Sequence, residues 1–78
     1  MSARAIVNLF GFTAAEATLA VLLAGGATID EAAESLGVSR NTARTHLYSM
    51  FQKAGVNRQS QLITLIVRSF AGWVDECA

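Results

Sequence analysis

The sequence predicts an all-α fold: four short helices in a single small domain. The chain has 78 residues, no proline and six glycines, and the glycines separate stretches whose apolar residues recur every three or four positions. No stretch of useful length alternates polar and apolar residues with the period of a strand. With 53% hydrophobic and 15% charged residues, the chain can bury one core and is too short for a second.

The first element is a short N-terminal segment. Ile6, Leu9 and Phe10 have the i, i+3, i+4 spacing of one helix face, and Gly11 follows them. We therefore expect residues 1–11 to form a linker or a short extra helical turn.

Two capping boxes predict where the first two full helices begin. Thr13 with Glu16, and Thr28 with Glu31, each have the Thr-x-x-Glu spacing in which side chain and backbone cap each other. Gly25 and Gly26 end the first of these helices. The apolar residues expected to face the core are Leu19, Leu22, Leu23, Ala32, Ala33 and Leu36.

The second and third helices are separated by a very tight turn. Gly37 is expected to end the second helix in the left-handed conformation, and Ser39 to cap a third helix that runs to about Ala54. This is the helix-turn-helix pattern, in which the second helix of the pair enters the major groove of DNA. A helical hairpin without that function is the alternative. The inward residues of the third helix are Ala43, Leu47, Met50, Phe51 and Ala54.

Charge is unevenly distributed although the formal net charge is zero. Residues 36–70 contain no Asp or Glu. The basic residues of that stretch are Arg40, Arg44, Lys53, Arg58 and Arg68. This segregation predicts a DNA-binding face, and a merely solvated helix face is the alternative.

The third helix carries the candidate DNA contacts. Base-reading residues are expected on one polar face, because Arg pairs with a guanine edge, Asn with adenine, and a Thr methyl with a thymine methyl. This set is Asn41, Arg44, Thr45 and Tyr48. Arg40, Lys53 and Arg58 lie nearer the ends of the helix and suit phosphates.

These residues resemble a known family. The opening residues that match its pattern are Phe12, Thr13, Glu16, Leu19, Leu22, Ala24 and Gly26. The later ones are Thr28, Glu31, Ala33, Leu36, Gly37, Ser39, residues 42–47 and residues 53–56. Together they are similar to the LuxR-type (GerE-like) DNA-binding domain of bacterial transcription regulators. The helix-turn-helix of sigma factor region 4 is a related alternative that shares the first half of the pattern.

The resemblance implies a domain over residues 12–71, followed by a tail over 72–78 that either extends the last helix or frays. It places Arg44 at the position of the motif's base-reading Lys. It implies that Thr42 and His46 contact phosphates or orient the helix. Further phosphate contacts are expected at Thr28 and Ser39. Ala32 and Ala43 depart from the usual Ile and Val.

A fourth helix, capped by Asn57, is expected from near Arg58 through Phe70. Its apolar residues cover an arc of roughly 200°, more than one core needs. The resemblance implies a dimer contact on this helix, through Leu62, Ile63, Ile66, Val67, Phe70 and Trp73. The alternative is that the N-terminal segment covers the surplus within one chain.

The remaining residues give no sign of an enzyme. We predict no catalytic residue, no metal site and no cofactor, since His46 is the only His and Cys77 the only Cys. No run approaches the ~20 apolar residues of a membrane span, so a cytoplasmic location is expected. The predicted partners are double-stranded DNA, a second copy of the chain and RNA polymerase. A protein-interaction module with the same fold that does not bind DNA is the competing function.

Overall fold

Four helices and the turns between them make up the described part of the chain. The structure is a computed structural model that describes Val7, Phe10 and residues 11–77, with side chains placed up to Ser69. The helices are α1 (Ala14–Ala24), α2 (Ile29–Leu36), α3 (Arg40–Ala54) and α4 (Gln59–Cys77). No strand forms in this part of the chain, and the predicted all-α fold is confirmed.

The first three helices begin at the predicted caps. Thr13 Oγ1 accepts a hydrogen bond from the N–H of Glu16 at 3.2 Å, and the Thr13 N–H donates to the Glu16 carboxylate at 2.8 Å. Thr28 and Glu31 repeat this arrangement at α2, and the hydroxyl of Ser39 caps α3. These bonds satisfy N–H groups that have no partner within a helix, so each N-terminus is fixed locally.

The turn between α2 and α3 has the predicted geometry. Gly37 lies in the left-handed region at φ 71°, where a Cβ would be strained. The N–H of Val38 donates to the carbonyl of Ala33 at 3.0 Å, which closes the C-terminus of α2. Ala33 and Ala43 are both buried, so the two helices meet through small side chains.

The core is built around α1, which packs against α2, α3 and α4. Its largest fully buried side chains are Leu19, Leu23, Met50, Leu62 and Ile66. Each contributes about 1.5–3 kcal/mol through burial. Leu62 and Ile66 are 0% exposed within one chain, so their assignment to a dimer interface is wrong. The face of α4 that carries them is the core face.

Helix α4 starts close to the predicted residue, but it is not capped as predicted. It begins at Gln59, and the backbone N–H of Asn57 donates to the side chain of Gln61 at 3.1 Å. The backbone of Asn57 therefore donates to this turn, whereas the sequence predicted that the side chain of Asn57 would cap the helix. The helix continues through Gly72 to Cys77, so the backbone of the tail extends the helix.

The N-terminal segment contacts the core. Val7 and Phe10 have helical backbone, and the N–H of Gly11 donates to the carbonyl of Val7 at 2.9 Å. The ring of Phe10 stacks on that of buried Phe12, with ring centroids 5.2 Å apart. Both Val7 and Phe10 are half-buried against the core, while the predicted contributions of Ile6 and Leu9 fall outside the described residues.

Candidate nucleic-acid interface

The predicted base-reading residues form one outward face of α3. Asn41, Arg44, Thr45 and Tyr48 are all exposed, and Tyr48 is 59% exposed. At 3.6 residues per turn they lie within an arc of about 100°. The buried residues on the opposite side of the helix are Ala43, Leu47 and Met50. We call these four exposed residues the recognition face.

Two contacts limit how the recognition face presents its groups. The hydroxyl of Thr45 donates to the carbonyl of Asn41 at 3.0 Å, so that hydrogen is already used and the methyl group is the part suited to a thymine. The ring of Tyr48 meets that of Phe51 edge-on, with centroids 6.1 Å apart. This packing gives an otherwise exposed aromatic ring a supported position.

A surface groove joins the recognition face to the α3–α4 turn. It has a volume of about 380 Å³ and lies beside α3. Its lining residues are Ile29, Arg44, Leu47, Tyr48, Phe51, Asn57, Arg58 and Gln59. The fold therefore brings Arg58 next to Arg44 and Tyr48, although it is at least ten positions away in the chain. Two arginines line one groove, which suits a nucleic-acid backbone.

A second, larger groove shares Asn57 with the first and otherwise extends along α4. Its volume is about 470 Å³, and it runs between the α3–α4 turn and one side of α4. It contains Arg68, and none of the predicted base or phosphate contacts lines it. The smaller groove is therefore the one relevant to the predicted interface.

Lys53, predicted as a phosphate contact, forms an ion pair with an acid of α1. Its Nζ lies 2.6 Å from Oε1 of Glu16, whose side chain is 3% exposed, whereas the Lys53 side chain is 34% exposed. Because a buried carboxylate needs a compensating charge, this ammonium group neutralises Glu16 and stabilises the fold.

The pKa of Glu16 reflects this environment. Burial acts to raise it, but hydrogen bonds from Lys53, the Thr13 backbone and Ser49, together with the charge of Lys53, outweigh burial. The result is a pKa lowered from 4.5 to about 2. The Glu16 side chain thus caps α1 and fixes the C-terminal end of α3 at the same time.

Arg40 is also paired with an acid from an earlier helix. Its Nε and Nη2 atoms contact the two carboxylate oxygens of Asp30, in the first turn of α2. Both side chains are more than half exposed. The predicted phosphate contact is therefore partnered within the chain, across the turn between α2 and α3.

The other predicted phosphate contacts lie at helix N-termini or on the flank of α3. Ser39 accepts a hydrogen bond from the N–H of Thr42 and donates its own hydroxyl to Thr42 Oγ1 at 3.0 Å. The Thr28 N–H is used by the Glu31 carboxylate. Thr28, Ser39 and Thr42 are exposed, while His46 is half-buried. Thr42 keeps a hydroxyl hydrogen that no described residue accepts.

The family comparison covers most of this structure. The family model described as bacterial regulatory proteins, luxR family, matches residues 11–66. That range includes α1, α2, α3 and the first part of α4. The chain belongs to the LuxR family of bacterial regulatory proteins. The LuxR-type helix-turn-helix is therefore formed by α2 and α3, as the sequence predicted.

Two curated relatives match half of the chain. They are the probable csgAB operon transcriptional regulatory protein of Salmonella typhimurium and the CsgBAC operon transcriptional regulatory protein of Escherichia coli. Each is 44% identical over 39 residues, which is 50% of this chain and 18% of the relative. The match thus spans less than a fifth of each relative. No solved structure matches the chain at a comparable level.

The outer side of α4 keeps part of the predicted dimer surface. Ile63 is half-buried and Val67 is 44% exposed, one turn further along the helix. The predicted contributions of Phe70 and Trp73 fall outside the described side chains. Among the described side chains of α4, Val67 is therefore the exposed large apolar residue, whereas Ile63 packs partly against the core.

Gln52 was missed by the sequence reasoning. It is exposed and lies one turn beyond Tyr48, on the same side of α3 as the recognition face. Its i+4 spacing from Tyr48 indicates that it lies on the same side of the helix. Its amide extends the polar face of the LuxR-type helix toward the C-terminal end of α3.

The described residues contain neither a metal cluster nor a membrane span. No group of three or more His, Cys, Asp or Glu side chains among them is placed to hold a metal ion. Within the same part of the chain, every helix is too short or too polar to cross a bilayer.

Proposed function

We propose that this LuxR-type domain binds double-stranded DNA in a sequence-specific manner, as part of a dimeric bacterial transcription regulator. The observation that carries the proposal is the recognition face of α3. It presents Asn41, Arg44, Thr45 and Tyr48 to solvent together, and the groove beside it adds Arg58. The names of the two relatives, both operon transcriptional regulators, support the same function.

The proposed binding geometry places α3 in the major groove. The 15 residues of α3 give a helix of about 22 Å, and the major groove, about 12 Å wide, admits one helix. In helix-turn-helix proteins the N-terminal part of the second helix contacts the bases. Asn41, Arg44 and Thr45 lie in the first two turns, so they are proposed as base contacts. Arg58 is proposed as a phosphate contact across the groove.

The dimer is proposed to form through the outer side of α4. Val67 is the exposed apolar residue at its centre, with Ile63 beside it. A two-fold pair would present two α3 helices to half-sites about one DNA turn, or ~34 Å, apart. RNA polymerase is a proposed further partner of the bound regulator, and the cytoplasm, where bacterial DNA lies, is its proposed location.

A binding experiment tests the DNA function. Duplexes enriched from a random-sequence library by the 78-residue chain would be titrated by fluorescence anisotropy across a salt series. We expect log affinity to fall linearly with log salt, with a slope of about −0.9 per phosphate neutralised. Absence of binding above background at ~50 mM salt would contradict DNA binding and favour the protein-interaction alternative.

A matched pair of arginine variants tests the binding geometry. Arg44→Ala removes a cation from the recognition face, whereas Arg68→Ala removes one from the second groove. We expect Arg44→Ala to relax base preference at one position by about 1–3 kcal/mol. Arg68→Ala should leave base preference unchanged. An equal loss of affinity on every sequence for Arg44→Ala would make Arg44 a phosphate contact.

A further inference from the structure

We propose that Asp30 sets the affinity for DNA. Its carboxylate binds Arg40 in the place that a DNA phosphate would otherwise take. The Asp30 carboxylate occupies the guanidinium group of Arg40 at the N-terminal end of α3. The inference rests on the proposed DNA binding and adds a determinant that lies outside the recognition helix itself.

The geometry of the pair is that of an anion bound by arginine. Nε and Nη2 of Arg40 face the two carboxylate oxygens of Asp30 side by side. This two-pronged arrangement is the one in which arginine also binds phosphate. The carboxylate and a phosphate would therefore compete for the same donors.

The position of the pair makes this competition relevant to DNA. Arg40 is the first residue of α3 and lies one turn before Arg44, on the same flank of the helix. It immediately precedes Asn41 of the recognition face. The side chains of Arg40 and Asp30 are 58% and 54% exposed, so both are within reach of a ligand on this side of the domain.

The pairing changes the charge that the domain offers to DNA. Residues 36–70 contain five basic residues and no acid. In the folded chain, however, Asp30 forms an ion pair with Arg40, and Glu16 forms one with Lys53. Arg44, Arg58 and Arg68 are the cations of that stretch without an ion-pair partner among the described residues. Asp30 thus removes one effective positive charge from the N-terminal end of α3.

The test compares variants that differ in local charge alone. Asp30→Asn removes the competing carboxylate and leaves Arg40 in place. Glu34→Gln removes the same charge from an exposed site on the same helix, where no described residue pairs with it. The double variant Asp30→Asn/Arg40→Gln removes both members of the pair and restores the wild-type local charge of zero. Circular dichroism melting checks that each variant folds.

The readout is the salt dependence of affinity for the library-selected duplex. For Asp30→Asn we expect a slope more negative by about 0.9 per bound subunit, and about five- to tenfold tighter binding at ~0.1 M salt. Glu34→Gln and the double variant should keep the wild-type slope. A slope for Asp30→Asn equal to that of Glu34→Gln would overturn the proposal. Weaker binding by Asp30→Asn would also overturn it, because Asp30 would then be positioning Arg40 for DNA.

Heparin chromatography separates this inference from the proposed function. The column presents anionic groups without any DNA sequence, and elution salt reports the accessible positive charge. If the wild-type chain fails to bind duplex DNA but Asp30→Asn elutes at higher salt than Glu34→Gln, the DNA proposal fails, while the masking of the Arg40 charge by Asp30 stands. If the two variants elute together, the role of Asp30 is refuted whatever the DNA result.

Discussion

The ion pair between Glu16 and Lys53 predicts a specific loss of stability in acid. The pKa of Glu16 is about 2 in the folded chain, compared with 4.5 for the unperturbed group. The Glu16 carboxylate is therefore protonated at higher pH in the unfolded chain than in the folded chain. The associated stability is present above pH 4.5 and is lost as the pH falls from 4.5 toward 2. The difference corresponds to about 3 kcal/mol, a large part of the ~5–15 kcal/mol typical of a domain.

The variant Glu16→Gln isolates the charge. Glutamine at this position still accepts the Thr13 N–H of the capping box, but it does not neutralise Lys53. We expect its free energy of unfolding at pH 7 to be about 3 kcal/mol below wild type. Most of that difference should disappear by pH 2.5, because wild-type Glu16 then contributes little.

Urea denaturation followed by circular dichroism at a series of pH values measures this difference. The matched control is Glu31→Gln, which alters the same kind of capping box at α2, where the carboxylate is exposed and has no lysine partner. The pKa of Glu31 is lowered by hydrogen bonds from Thr28 alone, so a much smaller pH effect is expected. A gap between wild type and Glu16→Gln that stays constant from pH 7 to pH 2.5 would refute the reasoning.

Three further variants test the packing and the outer surface. Gly37→Ala should lower the free energy of unfolding by about 1 kcal/mol, and the melting temperature with it. Backbone strain alone causes this loss, because an added Cβ meets no atom within 4 Å. An unchanged melting temperature would contradict the φ of 71°. Met50→Ala should lower the free energy of unfolding by about 2–5 kcal/mol in urea titrations, whereas a loss below 1 kcal/mol would mean that Met50 is not a core residue. Val67→Lys should leave the monomer folded and shift sedimentation velocity profiles toward monomer. If association is unchanged, the dimer surface does not lie on the outer side of α4.

The helix boundaries could be predicted from sequence because they are local. Thr13, Thr28 and Ser39 act on backbone groups two or three residues away, and Gly37 fixes its own turn. Such contacts depend little on the rest of the fold. For the same reason the recognition face could be predicted, since its four residues lie on one helix and share a side by periodicity.

The ion pairs could not be predicted because they depend on tertiary packing. Lys53 and Glu16 are 37 positions apart, and nothing in the spacing of either residue indicates the other. The charge of Lys53 suggested a phosphate contact, but it gave no sign that the ammonium group would pair with Glu16 of α1. The exposed side of α4 also depends on tertiary packing. The apolar residues of this helix cover a wider arc than one core contact needs, so their spacing does not show which of them face outward. Only the packing of Leu62 and Ile66 against α1 shows which side is the core.

The compensated charges also affect how the domain would approach a polyanion. A chain with zero formal net charge has no long-range monopole attraction to DNA. Its acids on α2 and its uncompensated arginines at α3 and the α3–α4 turn instead give it a dipole. A dipole orients the molecule only within about one Debye length, ~10 Å at 0.1 M salt. Encounter would then be governed by rotation close to the duplex, and productive collisions would be those in which α3 already faces the groove.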